Sequence, residues 1–119
     1  MSERKYDLED RLVKFAGDCI LFANTFPRDT AGLNLSNQLI RSATSSALNF
    51  GESQGAESVK DKIHKLGIVL KELKESRVAL KILVYINYGD MNKRKYLLKE
   101  SDELIRIVFT IRENKRRLL

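Results

Sequence analysis

The stretch between Gln38 and Leu83 decides the fold, because it contains two helical patterns that meet near Gly55. The first pattern is Gln38-Leu-Ile-Arg-Ser-Ala-Thr-Ser-Ser-Ala-Leu-Asn-Phe-Gly-Glu-Ser53, and the second is Asp61-Lys-Ile-His-Lys-Leu-Gly-Ile-Val-Leu-Lys-Glu-Leu-Lys-Glu-Ser-Arg77. The small residues of 42–47 allow a neighbouring backbone to approach closely. The second pattern is long and amphipathic. Together they predict a helical hairpin.

Apolar residues at steps of three and four predict one more helix on each side of this hairpin. The expected bounds are Asp7 to Phe26 for helix 1, Leu33–Ser36 to Gly51–Gly55 for helix 2, Val59 to Tyr88 for helix 3, and Lys93 to Arg117 for helix 4, with Asn92 as the cap of helix 4. The connections are short and the chain has 119 residues. The sequence therefore predicts an all-α protein, an antiparallel up-and-down four-helix bundle in which residues 1–119 form a single domain.

Two apolar stripes are expected to face the core of this bundle. Helix 3 carries a heptad seam made of Ile63, Leu66, Leu70, Leu73, Arg77, Leu80, Val84 and Asn87, and helix 4 carries Leu97, Leu98, Leu104, Ile105, Val108, Phe109 and Ile111. Gly67 lowers the helix propensity in the middle of helix 3. Its presence predicts a close crossing at that point.

Composition excludes several classes of protein. A single cysteine cannot form an internal disulfide bond, which fits a reducing compartment. The first residues lack a signal-peptide pattern, and no apolar run reaches the length of a membrane span. We therefore expect a cytoplasmic protein without a membrane partner.

Positive charge is concentrated at the carboxyl end of the chain. The formal net charge is +6, and the last 27 residues hold nine basic and four acidic side chains. The nine are Lys93, Arg94, Lys95, Lys99, Arg106, Arg112, Lys115, Arg116 and Arg117. This asymmetry predicts a polyanionic partner, RNA or DNA, whose phosphates contact the basic face of helix 4. An ordinary solvated face is the alternative.

No set of residues has the pattern of a catalytic, metal or cofactor site. Asp61 and His64 have the spacing of a di-iron motif, but that motif must occur twice and His64 is the only histidine. We expect His64 to face solvent and Cys19, on the apolar stripe of helix 1, to be a buried thiol. Glu72 and Glu75 have the spacing of surface ion pairs. The sequence predicts a protein without enzymatic activity or cofactor.

Four polar residues occupy positions that should pack against other helices, namely Arg41, Asn49, Glu52 and Arg77. A buried charge must be paired, since an unpaired one costs several kcal/mol. These residues form either an internal network within the bundle or a contact between subunits that fixes register. The sequence leaves both alternatives open.

The sequence also resembles the small four-helix-bundle proteins encoded within intervening sequences of bacterial 23S ribosomal RNA genes. The resemblance spans residues 5–115 and rests on Gln38-Leu-Ile-Arg-Ser-Ala-Thr-Ser45, on Asn49 and Glu52, on Ile63-His-Lys-Leu66, and on Leu70-Lys-Glu-Leu-Lys-Glu75. Members of that family usually have Pro-Ala-Asn before the Glu of helix 2, where this chain has Ala47-Leu-Asn49.

This resemblance implies a ring-forming homo-oligomer, a homopentamer. Related proteins are accessory subunits of reverse transcriptases in diversity-generating retroelements, which implies a role with nucleic acid or with such an enzyme. The combined prediction is a non-enzymatic, ring-forming protein that binds nucleic acid through helix 4. The alternative is an interaction scaffold or accessory subunit that makes no direct contact with nucleic acid.

Overall fold

The computed structural model describes the backbone of residues 3–119 and the side chains of residues 8–119. Its helices are α1 (Glu3–Ala23), α2 (Thr30–Gln54), α3 (Val59–Ile86) and α4 (Met91–Arg116). Each helix packs against the next in the chain, α1 also packs against α4, and α1 and α3 lie diagonally opposite. The predicted all-α up-and-down bundle is confirmed. Along the described residues, none of the helices combines the length and the apolar character that crossing a bilayer requires.

Side-chain caps fix where three of the helices begin. The Asp29 carboxylate accepts a hydrogen bond from Gly32 N at 2.7 Å, and that cap starts α2 at Thr30, earlier than predicted. The Ser58 hydroxyl accepts from Asp61 N at 3.0 Å and starts α3. The prediction of Asn92 as a cap is wrong. Asp90 accepts from Lys93 N at 2.9 Å instead, so α4 begins at Met91.

Helices α2 and α3 meet closely along the run of small residues. The hydroxyls of Ser42 and Ser76, both fully buried, lie 2.7 Å apart across that contact. Each hydroxyl also lies close to a backbone carbonyl of its own helix, so neither polar group is left unpaired in the core. The small residues therefore have the packing role that the sequence predicts.

Two stripe positions that were predicted to be inside lie outside the core. In α3 the chain turns Leu83 inward, and the step of roughly 100° to the next residue leaves Val84 exposed. In α4 the buried positions Ile105 and Val108 place Phe109 on the outer side of the helix, where half of its surface is exposed. Asn87 does not continue the α3 seam, because it adopts a left-handed conformation (φ 59°) and ends the helix.

Candidate nucleic-acid interface

The basic residues of α4 do not form one patch. Lys93 and Lys95 lie at the amino end of the helix, and Arg116 lies at its carboxyl end. At a rise of about 1.5 Å per residue, the two groups are about 35 Å apart. Lys99 and Arg106 are exposed between them. The charge asymmetry of the sequence therefore corresponds to two separate basic ends joined by a thin line of charge.

Arg94 is not on the basic face, contrary to the sequence prediction. It is only 5% exposed, and its guanidinium donates to Tyr88 O at 3.0 Å and more weakly to Asn87 Oδ1 at 3.4 Å. These acceptors lie just past the carboxyl end of α3. Arg94 therefore ties the start of α4 to the end of α3 and is not available to a phosphate.

Arg112 also differs from the prediction, because it lies against α3 and is half-buried. Its Nε donates to Ile63 O at 2.9 Å. Its Nη2 lies where Gly67 leaves space, since a Cβ built on Gly67 would be 3.1 Å from that atom. The predicted close approach at Gly67 therefore occurs, but a guanidinium and not a helix backbone fills the space.

A basic pocket results from this arrangement. It has a volume of about 580 Å³ and is lined by His64, Gly67, Ile68, Leu70, Lys71, Lys74 and Arg112. Among the side chains of residues 8–119, no acidic one contributes to this lining. Because Arg112 uses Nε to hold Ile63, its two Nη groups remain as donors at the floor of the pocket. Such a site attracts an anion by both charge and hydrogen bonding.

The sequence analysis did not assign His64, Lys71 and Lys74 to a binding surface. Their signal was present, because these residues and Gly67 recur at steps of three and four and therefore share one face of α3. What the sequence could not indicate is that Arg112 comes from α4 to complete that face. His64 is exposed as predicted.

The carboxyl end of α4 lies at the same end of the bundle as this pocket, since Arg112 contacts the first turns of α3. Arg117 and Arg116 are exposed there and Lys115 is half-buried. Arg116 has a long ion pair to Glu113 at 3.7 Å, within its own helix. This end of the molecule therefore holds the densest positive charge of α4.

The acidic residues in the middle of α4 are paired with arginines of other helices. Arg11 of α1 binds both Glu100 and Glu103, and Glu100 accepts from it at 2.8 Å. Arg77 of α3 binds Asp102 at 3.1 Å. The hydrogen bond from Arg11 lowers the pKa of Glu103. These pairs neutralise the acids in the middle of α4, so the lysines and arginines near them retain their positive potential.

The four polar residues singled out in the sequence separate into different contacts. Arg41 binds Glu72 at 3.2 Å and also Glu75, which is the internal Arg–Glu pairing of the first alternative. Glu52 binds Lys65 at 2.6 Å. The four do not share one network, because Asn49 donates to Ser45 within α2 and Arg77 binds Asp102 of α4. The prediction that they contact another subunit stays open.

Glu72 is a correction to the expected pair of surface carboxylates. Its side chain is buried between α2 and α3, and its partner is Arg41 on the facing helix. Glu75 is more exposed, and its hydrogen bond from Arg41 lowers the pKa of the carboxyl group. The two carboxylates therefore hold one arginine and do not form surface pairs along α3.

Cys19 is fully buried in the core, as expected. Burial raises the pKa of its thiol well above the usual range, so the reactive thiolate is disfavoured. Within the described residues, no group of three His, Cys, Asp or Glu side chains comes together in a way that could hold a metal ion.

Comparison with known proteins agrees with this architecture. A crystal structure from Bacteroides thetaiotaomicron, described as a protein with unknown function from the S23 ribosomal protein family, matches with a TM-score of 0.81 and 27% sequence identity. The match covers 87% of this chain and 96% of that one. No curated protein matches. The model of the 23S rRNA-intervening sequence protein family matches residues 4–110, and the chain therefore belongs to that family.

Proposed function

We propose that this protein is a non-enzymatic, ring-forming homo-oligomer that binds the phosphate backbone of RNA or DNA at its basic end. The single observation that carries the proposal is the pocket in which Arg112 reaches across Gly67 to join Lys71, with no acid among the described lining residues. Arg116 and Arg117 lie at the same end and extend the positive surface. Each phosphate neutralised there releases counterions, which makes binding strongly dependent on salt.

Repetition in a ring strengthens this proposal. One pocket with a few nearby cations supports only weak binding, but a ring presents the same basic end once per subunit to one polyanion. The family resemblance implies five copies, and a homopentamer is part of the proposal. The family description names 23S rRNA, and the similar crystal structure is assigned to a ribosomal protein family, so RNA is the first probe.

The test measures the affinity of fluorescently labelled single- and double-stranded RNA against salt concentration. The first variant replaces Lys115, Arg116 and Arg117 with Gln, and the matched control replaces Lys93, Lys95 and Lys99 with Gln. Both variants lose three positive charges from the α4 segment, but at opposite ends. We expect the first variant to reduce the slope of log K against log salt by about two to three for duplex RNA, at roughly 0.9 per lost phosphate contact. We expect the control to change the slope by less than about one.

Two results would contradict the proposal. Equal loss in both variants means that net charge alone, and not the basic end, governs binding. No binding by the parent protein at low salt removes nucleic acid as the partner. A further variant, Lys71→Gln, tests the pocket itself and should weaken binding at low salt without changing oligomer size.

The second candidate function is an interaction scaffold, or an accessory subunit of an enzyme such as a reverse transcriptase. Exposed apolar side chains on two helices favour it, since Leu21 on α1 is 65% exposed and Tyr85 on α3 is 89% exposed. A parent protein that fails to bind nucleic acid but forms a stable complex with a protein partner would support the scaffold.

A further inference from the structure

The outer face of α1 has an acidic end and an apolar end. Glu9 and Asp10 are exposed near its amino end, and Val13 and Leu21 are exposed further along. Gly17 lies between the two apolar residues, and a Cβ built on it would meet no described atom within 4 Å. The face therefore has a shallow gap in its apolar half, and a side chain from another molecule fits there.

The outer face of α3 has the opposite charge and the same order. Lys71 and Lys74 are exposed in its first half, and Val78, Ile82 and Tyr85 are exposed in its second half. An apolar surface of this size on a helix that already buries its other side marks a contact with a macromolecule. Tyr85 is a suitable anchor, because tyrosine is enriched at the centres of protein interfaces.

The two faces are also in register along the bundle axis. Arg11 of α1 lies level with Arg77 of α3, because both bind neighbouring carboxylates of one helix, Glu100 and Asp102. Further along, Phe22 of α1 packs against Gly89, just past the end of α3. These two contacts give a common scale for the two helices.

That scale pairs the faces by chemistry. Counting from the reference level, Glu9 falls level with Lys74 and Val13 with Val78, each within about one helical turn. Gly17 falls level with Ile82 in the same way, at the gap in the α1 face. Acid is thus opposite base, and apolar is opposite apolar, whenever the two faces meet at the same height.

The topology allows only one way for two copies to meet like this. Helices α1 and α3 run in the same direction and lie on opposite sides of the bundle, since they do not contact each other within the described chain. The α1 face of one copy and the α3 face of the next can therefore join side by side with their axes parallel. Such a head-to-tail contact uses two different surfaces and closes into a ring when the rotation permits.

We infer that the outer face of α1 binds the outer face of α3 of a second copy of this chain, with Glu9 and Asp10 facing Lys74, and with Val13 and Leu21 packing against Val78, Ile82 and Tyr85. This inference rests on the self-association in the proposed function and names its surfaces and register. The ring leaves the carboxyl end of α4 and Lys71 at the edge of the contact, where the basic ends of the subunits lie side by side.

The test is a charge exchange followed by sedimentation of the full chain at several concentrations. One variant is Lys74→Glu, and the other is Glu9→Lys with Asp10→Lys. Each places like charges opposite each other and should raise the dissociation constant of assembly at least about tenfold. The triple variant restores opposite charges and should recover most of that loss. Lys99→Glu on α4, which also removes an exposed lysine, is the control and should not change assembly.

A further variant keeps the test decisive if charge effects are small. Tyr85→Ser removes an exposed side chain that contributes nothing to the core, so its circular dichroism should match that of the parent while its assembly weakens. A parent protein that assembles normally while Lys74→Glu and Tyr85→Ser assemble equally well overturns this interface but not self-association. A parent that remains monomeric at about 100 μM overturns both, because stable ring contacts have dissociation constants well below that concentration. Nucleic-acid binding is measured separately and decides neither.

Discussion

Replacing Arg94 with Met should destabilise the protein without changing its affinity for nucleic acid. The guanidinium is almost fully buried and donates to Tyr88 O at 3.0 Å. A hydrogen bond from a charged group contributes about 1.5–3 kcal/mol, and a cation near a helix carboxyl end adds about 0.3–1 kcal/mol. The bond to Asn87 is long and contributes little. Some of this stabilisation offsets the cost of burying the charge, so we expect a net loss of about 2–3 kcal/mol.

Urea denaturation measures this loss. For a domain of this size the m value is about 2 kcal/mol/M, so the midpoint should fall by about 1–1.5 M. All proteins must be compared at one concentration, because assembly stabilises the folded state. The matched control is Lys95→Met, which removes a positive charge from the exposed neighbour and should shift the midpoint by less than about 0.3 M, matching the 0.5 kcal/mol limit of ordinary surface substitutions. An unchanged midpoint in Arg94→Met, with weaker binding of RNA, would refute the structural role and return Arg94 to the basic face.

Three further outcomes are expected. Gly51→Ala should raise the free energy of unfolding by about 0.5–1 kcal/mol in urea titrations, because the position is helical and a new Cβ meets no described atom within 4 Å. Gly67→Ala should gain less than Gly51→Ala and should weaken RNA binding at low salt, because the new Cβ displaces the Arg112 guanidinium; an equal gain with unchanged binding would contradict the role of that contact. The raised pKa of Cys19 means that the folded state keeps its thiol proton at a pH where the unfolded chain loses it, so stability is fully present below about pH 8.5 and declines above it. Between about pH 8.5 and 10 the parent should therefore lose up to about 1.4 kcal/mol per pH unit, and Cys19→Ala should have a flatter profile.

The periodic apolar pattern was sufficient to predict the helices, their order and the buried Cys19. The helix starts were less accessible, because a cap depends on which carboxylate reaches a free backbone N–H. Asp90, and not Asn92, has the position to accept from Lys93 N. Phe109 shows a second limit, since one residue's rotation on a helix decides between core and solvent, and only packing against the neighbouring helices fixes it.

The candidate site was harder to predict than the fold, because charge counted along a sequence carries no information on depth. Arg94 and Lys95 are adjacent in the chain, yet the first is buried under the end of α3 and the second is exposed. Arg112 has the same formal charge as Arg117 but holds a backbone carbonyl of another helix. A basic run therefore predicts a polyanion only after the residues that tie helices together have been removed from the count.

Removing them makes the remaining charge more informative. Without Arg94, the amino end of α4 has only exposed lysines, which are ordinary solvated residues. The carboxyl end keeps Arg116 and Arg117 beside the pocket that Arg112 completes with Lys71. Because a fixed guanidinium with free N–H groups orients a phosphate and a mobile lysine does not, the pocket end is the one at which binding should be geometrically defined. The head-to-tail contact of α1 and α3 keeps the bundle axes parallel, so every subunit would present that end on the same side of the ring.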